Sequence, residues 1–443
     1  MAQAALGRAA SRQGPRRSPL SPPLDCGAMA RLAVAALGCG CLGVAATVVR
    51  EPVRVPGWPE LKGFPLSFAI RTEDMVYVSG LGGMDMRTGK KAAGVGNETR
   101  QALSSLSELM QAAGGSLEDV VSCGVMLADL KRDFGEMNAA YAKFFPKSPP
   151  SRVAVQAGLA GGSVEIKCIA SLRGGKEVVA VPGWPSMAGK VPLSMVTRAH
   201  GTVYASGMQG LNMSTFRPVP GGVAAETAQT LANVGEALEA AGSGLDLALG
   251  CEVSLADMAD FSSMTEAYVA AFPKAGRLGG LPARIAVQVG GLAGSGRVEI
   301  RCTGATPGLR PVLVTAPAHW KSGPVPFSFA TKAGGMVYVS GMAGIDMATM
   351  RMAPGGVGNE TRQALSNIKE LLESAGTTIE NVVECEVSLA DMADFKEMNA
   401  AYAPFWPQAP PARAAVQVGG LFSGRVEIKC TAAAGAGSAE LVV

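Results

Sequence analysis

Pro150-Ser151-Arg152-Val153-Ala154-Val155-Gln156 is the stretch of sequence that recurs most plainly along the chain. It returns as Pro282-Ala283-Arg284-Ile285-Ala286-Val287-Gln288 and as Pro411-Ala412-Arg413-Ala414-Ala415-Val416-Gln417. Successive arginines are 132 and 129 residues apart, which is close to a common domain size. The sequence therefore predicts three tandem domains, each with one arginine at the same place, and a three-fold object within one chain.

The composition is that of folded, compact domains. Hydrophobic residues make up 48% of the 443 residues and charged residues only 17%, which excludes a largely disordered chain. The formal net charge is +3, but residues 1–50 contain six arginines and a single acidic residue. The rest of the chain is therefore slightly acidic and lacks the clustered positive charge that binds nucleic acid. We expect no nucleic-acid partner.

The N-terminal segment, residues 1–51, differs from the remainder. Residues 1–28 are rich in Arg, Pro and Ser and almost free of acids, as in an organelle transit peptide. Residues 32–49 form an uncharged run whose length is at the lower limit for spanning a bilayer. The favoured interpretation is targeting to a plastid or mitochondrion. A membrane anchor and a neutral tail on a cytoplasmic protein remain as alternatives.

Each repeat predicts the element order β-β-α-β-α-β-β. In the first repeat the strands are expected at 64–70, 75–79, 120–128, 152–157 and 163–170, and the helices at 98–113 and 134–145. This order indicates an α+β domain with its helices on one face of a sheet. The other face would be partly apolar and needs a partner, which the three copies can provide for one another. We place the repeats at 52–175, 176–308 and 309–436, followed by a tail at 437–443.

Six cysteines recur in register on alternating strand positions. This pattern predicts small buried core residues, with disulfides inside each repeat as the alternative. They are Cys123, Cys251 and Cys385 in one set and Cys168, Cys302 and Cys430 in the other.

Taken together, the repeated motifs resemble the YjgF/RidA family of imine deaminases. The motifs are Met-Val-Tyr-Val-Ser-Gly at Met75–Gly80, Glu-Thr-Arg-Gln-Ala-Leu at Glu98–Leu103, and Ala-Asp-Met-Ala-Asp-Phe at Ala256–Phe261. Met-Asn-Ala-Ala-Tyr, Pro-Ala-Arg and Val-Glu-Ile-Lys-Cys complete the set. The resemblance implies three chorismate-mutase-like domains that form an intramolecular pseudo-trimer, with its trimer interfaces satisfied within the chain and a cleft between each pair of repeats.

The resemblance also implies a reaction and a set of site residues. The reaction is hydrolysis of small 2-imino acids, such as 2-iminopropanoate and 2-iminobutanoate, to 2-oxo acids and ammonia, with no metal or cofactor. By resemblance, each repeat has one carboxylate-binding arginine, and these are Arg152, Arg284 and Arg413. Each repeat also has one water-handling glutamate, and these are Glu165, Glu299 and Glu427. The substrate-binding polar residues of the clefts are Ser79, Ser206, Ser340, Asn138 and Asn399.

Elementary chemistry agrees with these residue types. A guanidinium stays protonated and matches a carboxylate with two parallel hydrogen bonds. A glutamate close to such an arginine is expected to have a lowered pKa and to hold water in its ionised form.

The copies are not identical. Repeat 2 carries Thr265 where the others carry asparagine, which predicts a cleft that is weakened or altered in substrate. Leu66, Leu193 and Phe327 occupy a wall position and favour a larger, more apolar imine.

Two other functions remain open from the sequence. One is a non-catalytic, holdase-like protein whose clefts bind small carboxylates, and the retained arginines count against it. The other is endoribonuclease activity, which the acidic folded region makes less favoured. The two histidines, His200 and His319, occupy unrelated positions, so that a histidine-based triad or metal centre is not expected.

Overall fold

A long amphipathic helix packs on one face of the sheet in each repeat. In the first of these helices, Val95–Ala113, apolar residues at three- and four-residue steps are buried, and the helix ends at Gly114, whose φ of 86° favours glycine. The structure is a computed structural model that describes residues 50–434 other than 62, 186, 188–189, 274–276 and 322. Its α-helices are α1 (Val95–Ala113), α2 (Leu130–Tyr141), α3 (Gly222–Ala240), α4 (Phe261–Ala271), α5 (Val357–Ser374) and α6 (Phe395–Tyr402). Short 3-10 helices occur at Leu117–Asp119, Leu245–Leu247, Met258–Asp260, Pro307–Leu309, Ile379–Asn381, Met392–Asp394 and Ala403–Phe405.

The strands repeat the same plan three times. Repeat 1 contains β1 (Glu51–Pro52), β2 (Ala69–Arg71), β3 (Met75–Leu81), β4 (Val120–Leu127), β5 (Ser151–Gln156) and β6 (Val164–Ser171). Repeat 2 contains β7 (Glu177–Val179), β8 (Val196–Ala199), β9 (Thr202–Ala205), β10 (Met208–Gln209), β11 (Leu211–Asn212), β12 (Arg217–Pro218), β13 (Ala248–Leu255), β14 (Ala283–Gln288), β15 (Gly291–Leu292) and β16 (Val298–Ala305). Repeat 3 contains β17 (Val312–Leu313), β18 (Ala330–Ala333), β19 (Met336–Val339), β20 (Met342–Ala343), β21 (Ile345–Asp346), β22 (Arg351–Met352), β23 (Val382–Leu389), β24 (Ala412–Gln417) and β25 (Val426–Ala433).

Sheet order is the same in every repeat. In repeat 1 it is β1-β2-β3-β6-β4-β5, and β15 of repeat 2 extends the sheet beyond β5. β4 and β5 are parallel, whereas β4 and β6 are antiparallel. Two helices pack on one face, so the predicted α+β class is confirmed. The expected first strand is shorter than the sequence suggested, because Ser67 leaves the sheet and its N–H donates to the carbonyl of Pro411 in repeat 3.

Main-chain hydrogen bonds join the three repeats in a closed ring. β5 pairs with β15, which links repeat 1 to repeat 2. An isolated bridge between Gln288 and Gly420 links repeat 2 to repeat 3. A second bridge, between Gly158 and Gln417, links repeat 3 back to repeat 1. All described residues belong to one compact unit. The predicted intramolecular pseudo-trimer is therefore confirmed.

Apolar residues fill the space where the open sheet faces meet. Each repeat has its own core between sheet and helices. A further buried cluster contains Tyr77 from repeat 1, Tyr204 from repeat 2 and Val383 from repeat 3. The sequence-based expectation that the repeats cover one another's sheet faces is thus confirmed.

Six charged side chains meet at the centre of the ring. Three are basic and occupy equivalent positions in the three repeats: Lys167, Arg301 and Lys429. Three are acidic and come from repeats 2 and 3 only: Glu252, Glu384 and Glu386. Lys167 Nζ lies 3.0 Å from Glu384 Oε2, and Arg301 Nη2 lies 2.6 Å from Glu252 Oε2. We call this set the central charge cluster.

The six in-register cysteines are bonded in pairs. Disulfides join Cys123 to Cys168, Cys251 to Cys302 and Cys385 to Cys430, each across two antiparallel strands of one repeat. The favoured interpretation as unbonded core cysteines is wrong, and the alternative of intra-repeat disulfides is correct. Directly opposed positions on neighbouring strands bring the two sulfur atoms together.

The predictions for residues 1–49 and for the tail lie outside the described residues. Within the part of the chain that the structure describes, we find no helix that combines the length and apolarity needed to cross a membrane.

Candidate active site

The three motif arginines lie on the last strand that each repeat contributes to its sheet, and they are almost fully buried. Arg152 is on β5, Arg284 on β14 and Arg413 on β24, and their exposed fractions are 2%, 5% and 3%. Each follows a proline-containing turn and pairs in parallel with a cysteine of the neighbouring strand, as Arg152 does with Cys123. Alternation along the strand directs the arginine side chain to the face opposite that of its two sequence neighbours.

Each arginine meets a serine and a glutamate of the next repeat, not of its own. The first cleft, between repeats 1 and 2, contains Arg152, Ser206 and Glu299. The second cleft, between repeats 2 and 3, contains Arg284, Ser340 and Glu427. The third cleft, between repeats 3 and 1, contains Arg413, Ser79 and Glu165. The arginine and glutamate of one repeat, such as Arg152 and Glu165, therefore serve different clefts, because β4 intervenes between β5 and β6 in the sheet order.

The serines hold the arginine strands in place. In the third cleft the Arg413 N–H donates to Ser79 Oγ at 2.7 Å, while Ser79 Oγ–H donates to the Ser67 carbonyl at 2.5 Å. The equivalent serines, Ser206 and Ser340, make the same two contacts. The hydroxyl proton is therefore already engaged, and the serine positions the arginine.

A glycine beside each serine makes room for the glutamate carboxylate. A Cβ on Gly80 would lie 1.8 Å from Glu165 Oε1, and one on Gly341 would lie 2.0 Å from Glu427 Oε1. No side chain larger than hydrogen fits there unless the carboxylate moves. In each repeated Ser-Gly pair, the serine thus contacts the strand that carries the arginine, and the glycine contacts the glutamate carboxylate.

The glutamates are held in surroundings that favour their neutral form. Burial raises the pKa of Glu165, Glu299 and Glu427 to about 7, and the cross-repeat arginine only partly opposes this shift. The expectation of a lowered pKa is therefore wrong, because desolvation outweighs the attraction of the arginine. In the first cleft, Gln209 Nε2 also donates to Glu299 Oε2 at 2.9 Å. A carboxyl group of this pKa can both accept and return a proton at neutral pH.

The arginines are buried without a full set of partners. Among the described residues, Arg152 Nε and Nη1 and Arg413 Nε are buried with no hydrogen-bond acceptor. Their positive charge is partly stabilised by ring faces, since the Arg152 Cζ lies 4.9 Å from the Tyr141 ring centroid and the Arg413 Cζ 4.8 Å from that of Tyr402. Burial lowers the pKa of all three guanidinium groups. A buried cation with free N–H groups is a natural site for an anion.

The second helix of each repeat lines the arginine, and only the asparagines of this lining are expected from the sequence. Phe134, Asn138 and Tyr141 lie on one face of α2, at steps of four and three residues, and both rings contact Arg152. The Oδ1 atoms of Asn138 and Asn399 are buried without a partner among the described residues. Thr265, at the equivalent position of repeat 2, instead accepts a hydrogen bond from Arg284 Nη1 at 3.4 Å. The helical spacing of Phe, Asn and Tyr is the signal that could have revealed the aromatic residues.

The last glutamine of each motif fixes the start of that helix. Gln156 Oε1 accepts a hydrogen bond from the N–H of Leu130, the first residue of α2, at 3.1 Å. Gln288 and Gln417 accept the corresponding bonds from the first residues of the 3-10 helices that lead into α4 and α6. A single strand therefore carries the arginine and also positions the helix whose rings surround it. The assembled cleft therefore places a buried guanidinium close to a carboxyl group whose pKa is raised to about 7.

Comparison with known proteins agrees with this threefold organisation. The sequence profile of a family described as Endoribonuclease L-PSP matches residues 63–172, 186–306 and 321–434. The 2-iminobutanoate/2-iminopropanoate deaminase of Bos taurus is 42% identical over 128 residues, which are 29% of this chain and 92% of that protein. The protein named Reactive Intermediate Deaminase A, chloroplastic, of Arabidopsis thaliana is 38% identical over 108 residues, 24% of this chain and 58% of that protein.

A solved structure gives a match of the same extent. RidA from the Antarctic bacterium Psychrobacter sp. PAMC 21119 is 35% identical and covers 27% of this chain and 98% of that chain, with a TM-score of 0.26. Each of these matches corresponds in length to about one repeat.

Proposed function

The chain belongs to the Endoribonuclease L-PSP family, which confirms the resemblance seen in its motifs, and we propose that it hydrolyses reactive 2-imino acids to 2-oxo acids and ammonia. Relatives named 2-iminobutanoate/2-iminopropanoate deaminase support a deaminase function of this type. The small imine would bind in the clefts between repeats. Arg152, Arg284 and Arg413 would bind its carboxylate.

The observation that carries the proposal is a buried guanidinium with free N–H groups. Arg152 and Arg413 are 2–3% exposed, and the Nε–H of each lacks an acceptor. Burial of such a charged group lowers the stability of the fold unless an anion binds to it. A carboxylate can accept two parallel hydrogen bonds from the guanidinium, which fixes the orientation of the adjacent carbon.

The glutamate of the neighbouring repeat supplies the proton transfers. As a water oxygen bonds to the imine carbon, the carboxylate accepts the water proton, and the nitrogen receives the C=N electron pair. The nitrogen takes up the proton, and the C–N bond of this intermediate then breaks. The hydroxyl proton passes through the carboxyl group to the departing ammonia, and a C=O bond remains. A pKa of about 7 suits both directions of transfer at neutral pH.

The polar residues of the cleft have supporting roles in this scheme. Asn138 and Asn399 present unpartnered Oδ1 atoms that can accept a hydrogen bond from the imine N–H. Ser79, Ser206 and Ser340 position the arginine backbone.

The experiment measures hydrolysis of 2-iminobutanoate generated in situ by a threonine dehydratase. Semicarbazide traps the free imine, so that deaminase activity appears as reduced semicarbazone formation. We expect the wild-type chain to suppress the trapped product. The triple variant Arg152→Ala, Arg284→Ala, Arg413→Ala should lose this effect, and so should the triple variant Glu165→Gln, Glu299→Gln, Glu427→Gln.

Binding and turnover are separated by the second variant. The glutamine variant retains all three arginines, so that it should still bind 2-oxobutanoate while failing to hydrolyse the imine. If the wild-type chain binds 2-oxobutanoate but never accelerates hydrolysis, the clefts are non-catalytic carboxylate sites and the proposal is wrong. Cleavage of single-stranded RNA that survives the arginine substitutions would point to the endoribonuclease alternative.

Organelle targeting forms part of the same proposal. The relative from Arabidopsis thaliana is named chloroplastic, and residues 1–28 have the composition of a transit peptide. A fluorescent protein fused to residues 1–51 should enter plastids or mitochondria. Retention in the cytoplasm would contradict the assignment, and extraction only by detergent would favour the membrane anchor.

A further inference from the structure

The second cleft differs from the other two in the residues that line it. Counting from the shared motifs, repeat 3 places Phe327 where repeats 1 and 2 have Leu66 and Leu193. It also places Phe422, five residues before its glutamate, where the other repeats have small residues. The small residues are Ala160 and Gly294. The opposite wall, from repeat 2, carries Thr265 in place of asparagine.

The two phenylalanines line one cavity that contains both charged groups of the site, and Thr265 adjoins it through its contact with Arg284. The cavity has a volume of about 260 Å³, with Arg284 and Glu427 in its wall and Phe261, Phe327 and Phe422 around them. A cavity of about 150 Å³ lined by apolar side chains is large enough to bind benzene. The second cleft therefore has room for a six-membered ring in addition to a carboxylate.

The rings are arranged to receive a flat apolar group beside the guanidinium. Phe261 of repeat 2 and Phe422 of repeat 3 are in ring contact, with centroids 4.9 Å apart and planes inclined by 30°, and together they form one apolar wall of the cleft. The Arg284 Cζ lies 5.5 Å from the centroid of Phe327, a ring that the other clefts lack. An aromatic side chain attached next to a bound carboxylate would lie among these rings.

Part of this aromatic surface is uncovered. Phe422 is 67% exposed and Met350 is 47% exposed, and both belong to the cavity wall. The positions equivalent to Met350 are Gly89 and Phe216. Exposed apolar residues at the mouth of a cleft that also contains a buried cation are typical of a ligand site.

From this lining we propose that the second cleft is specific for 2-imino acids with an aromatic side chain, while the first and third clefts take small aliphatic ones. The inference rests on the proposed deaminase function and adds a division of substrates between clefts. Arg284 binds the carboxylate, Glu427 transfers the protons as described above, and Phe327 and Phe422 contact the aromatic ring. The net reaction is again addition of water and release of ammonia.

The test uses two substrates and matched arginine variants. 2-Imino-3-phenylpropanoate is generated from phenylalanine by an amino-acid oxidase, with catalase to remove peroxide, and 2-iminobutanoate from threonine as before. Arg284→Ala should reduce kcat/KM for the phenyl imine at least tenfold and that for 2-iminobutanoate by less than half. The double variant Arg152→Ala, Arg413→Ala is the matched control and should show the opposite preference, because either single variant would leave one small-imine cleft intact.

A second variant avoids any change of charge in the core. Phe327→Leu combined with Phe422→Ala introduces the residues that repeat 1 carries at these positions. It should lower the ratio of kcat/KM for the phenyl imine over 2-iminobutanoate at least tenfold. An unchanged ratio, or equal loss of both substrates in Arg284→Ala, would overturn the division of substrates while leaving the deaminase function intact.

Binding of the stable products gives a readout that does not depend on turnover. Titration calorimetry with 2-oxo-3-phenylpropanoate should show one site per chain, which Arg284→Ala abolishes and Arg152→Ala retains. If neither imine is hydrolysed but this single site is present, the deaminase proposal fails and the aromatic preference stands. Three equivalent sites, or no site, would overturn the preference.

Discussion

Arg413 and Ser79 are 334 positions apart in the chain, yet the main-chain N–H of Arg413 donates to the Ser79 hydroxyl at 2.7 Å. This contact closes the ring, because it joins the last repeat to the first. The corresponding contacts at the other two interfaces span 54 and 56 positions. The third cleft is thus the one whose geometry depends on the longest chain closure.

Replacement of Ser79 by alanine should weaken the closure of the ring. It removes an acceptor from the buried Arg413 N–H and a donor to the Ser67 carbonyl, so the free energy of unfolding should fall by about 1–3 kcal/mol. Urea denaturation measures the change. Ser366→Ala is the control, since that hydroxyl bonds within an exposed helix turn and its loss should change stability by less than about 0.5 kcal/mol. Equal effects of both substitutions would contradict the closing role.

The activity towards small imines should depend on pH through the glutamates. Burial raises the pKa of Glu165 to about 7, and water activation requires the ionised form. We therefore expect kcat/KM to fall about tenfold per pH unit below 7 and to level off above it. The rate of uncatalysed hydrolysis must be subtracted at each pH. A corrected profile that is flat between pH 5 and 8 would show that these carboxyl groups do not transfer the proton.

Glu427→Gln should stabilise the protein at alkaline pH. The pKa of this carboxyl group is 4.5 in the unfolded chain and about 7 in the folded protein, so it does not lower the stability below pH 4.5. Stability is lost progressively as the pH rises from 4.5 to 7, and the loss is complete above pH 7. The variant avoids that loss. Its free energy of unfolding, relative to the wild type, should therefore increase by on the order of 1–3 kcal/mol between pH 4.5 and pH 8. A relative stability that is the same at both pH values would mean that the carboxyl group is not desolvated.

Substitution of Lys167 by methionine should be strongly destabilising. It removes the cation that faces two glutamates in the central charge cluster, and buried charges left without a partner cost about 3–5 kcal/mol. Denaturant unfolding measures the loss. Lys369→Met provides the comparison, because its ion pair with Glu373 is exposed and should contribute less than about 0.5 kcal/mol. A small loss at Lys167 would indicate that water reaches the cluster.

Local patterns predict the elements of each repeat well. The helical stripe around Leu106, its end at Gly114 and the strand from Val120 all follow from the sequence, because periodicity and a left-handed glycine are local signals. The pairing of Arg152 with Glu299 could not be read from spacing, because it depends on how whole repeats dock. The family resemblance does predict that clefts lie between repeats.

The electrostatics of the site are harder to predict than its residues. The sequence places a glutamate and an arginine in the same region, and proximity alone indicates a lowered pKa. Whether desolvation or the ion pair dominates depends on the packing around Glu427, including the close approach of Gly341. The disulfide between Cys123 and Cys168 likewise required the strand register, which the sequence did not specify.

The uneven make-up of the central charge cluster ties the first and last repeats to each other. Repeat 1 brings Lys167 to the centre but has Ser122 and Gly124 where repeat 3 has Glu384 and Glu386. Three identical subunits patterned on repeat 1 would crowd lysines together with nothing to neutralise them, and three patterned on repeat 3 would bring twice as many acids as bases. A balanced set of charges at the centre therefore requires different repeats in one assembly, and a single chain guarantees that these repeats are present in equal number.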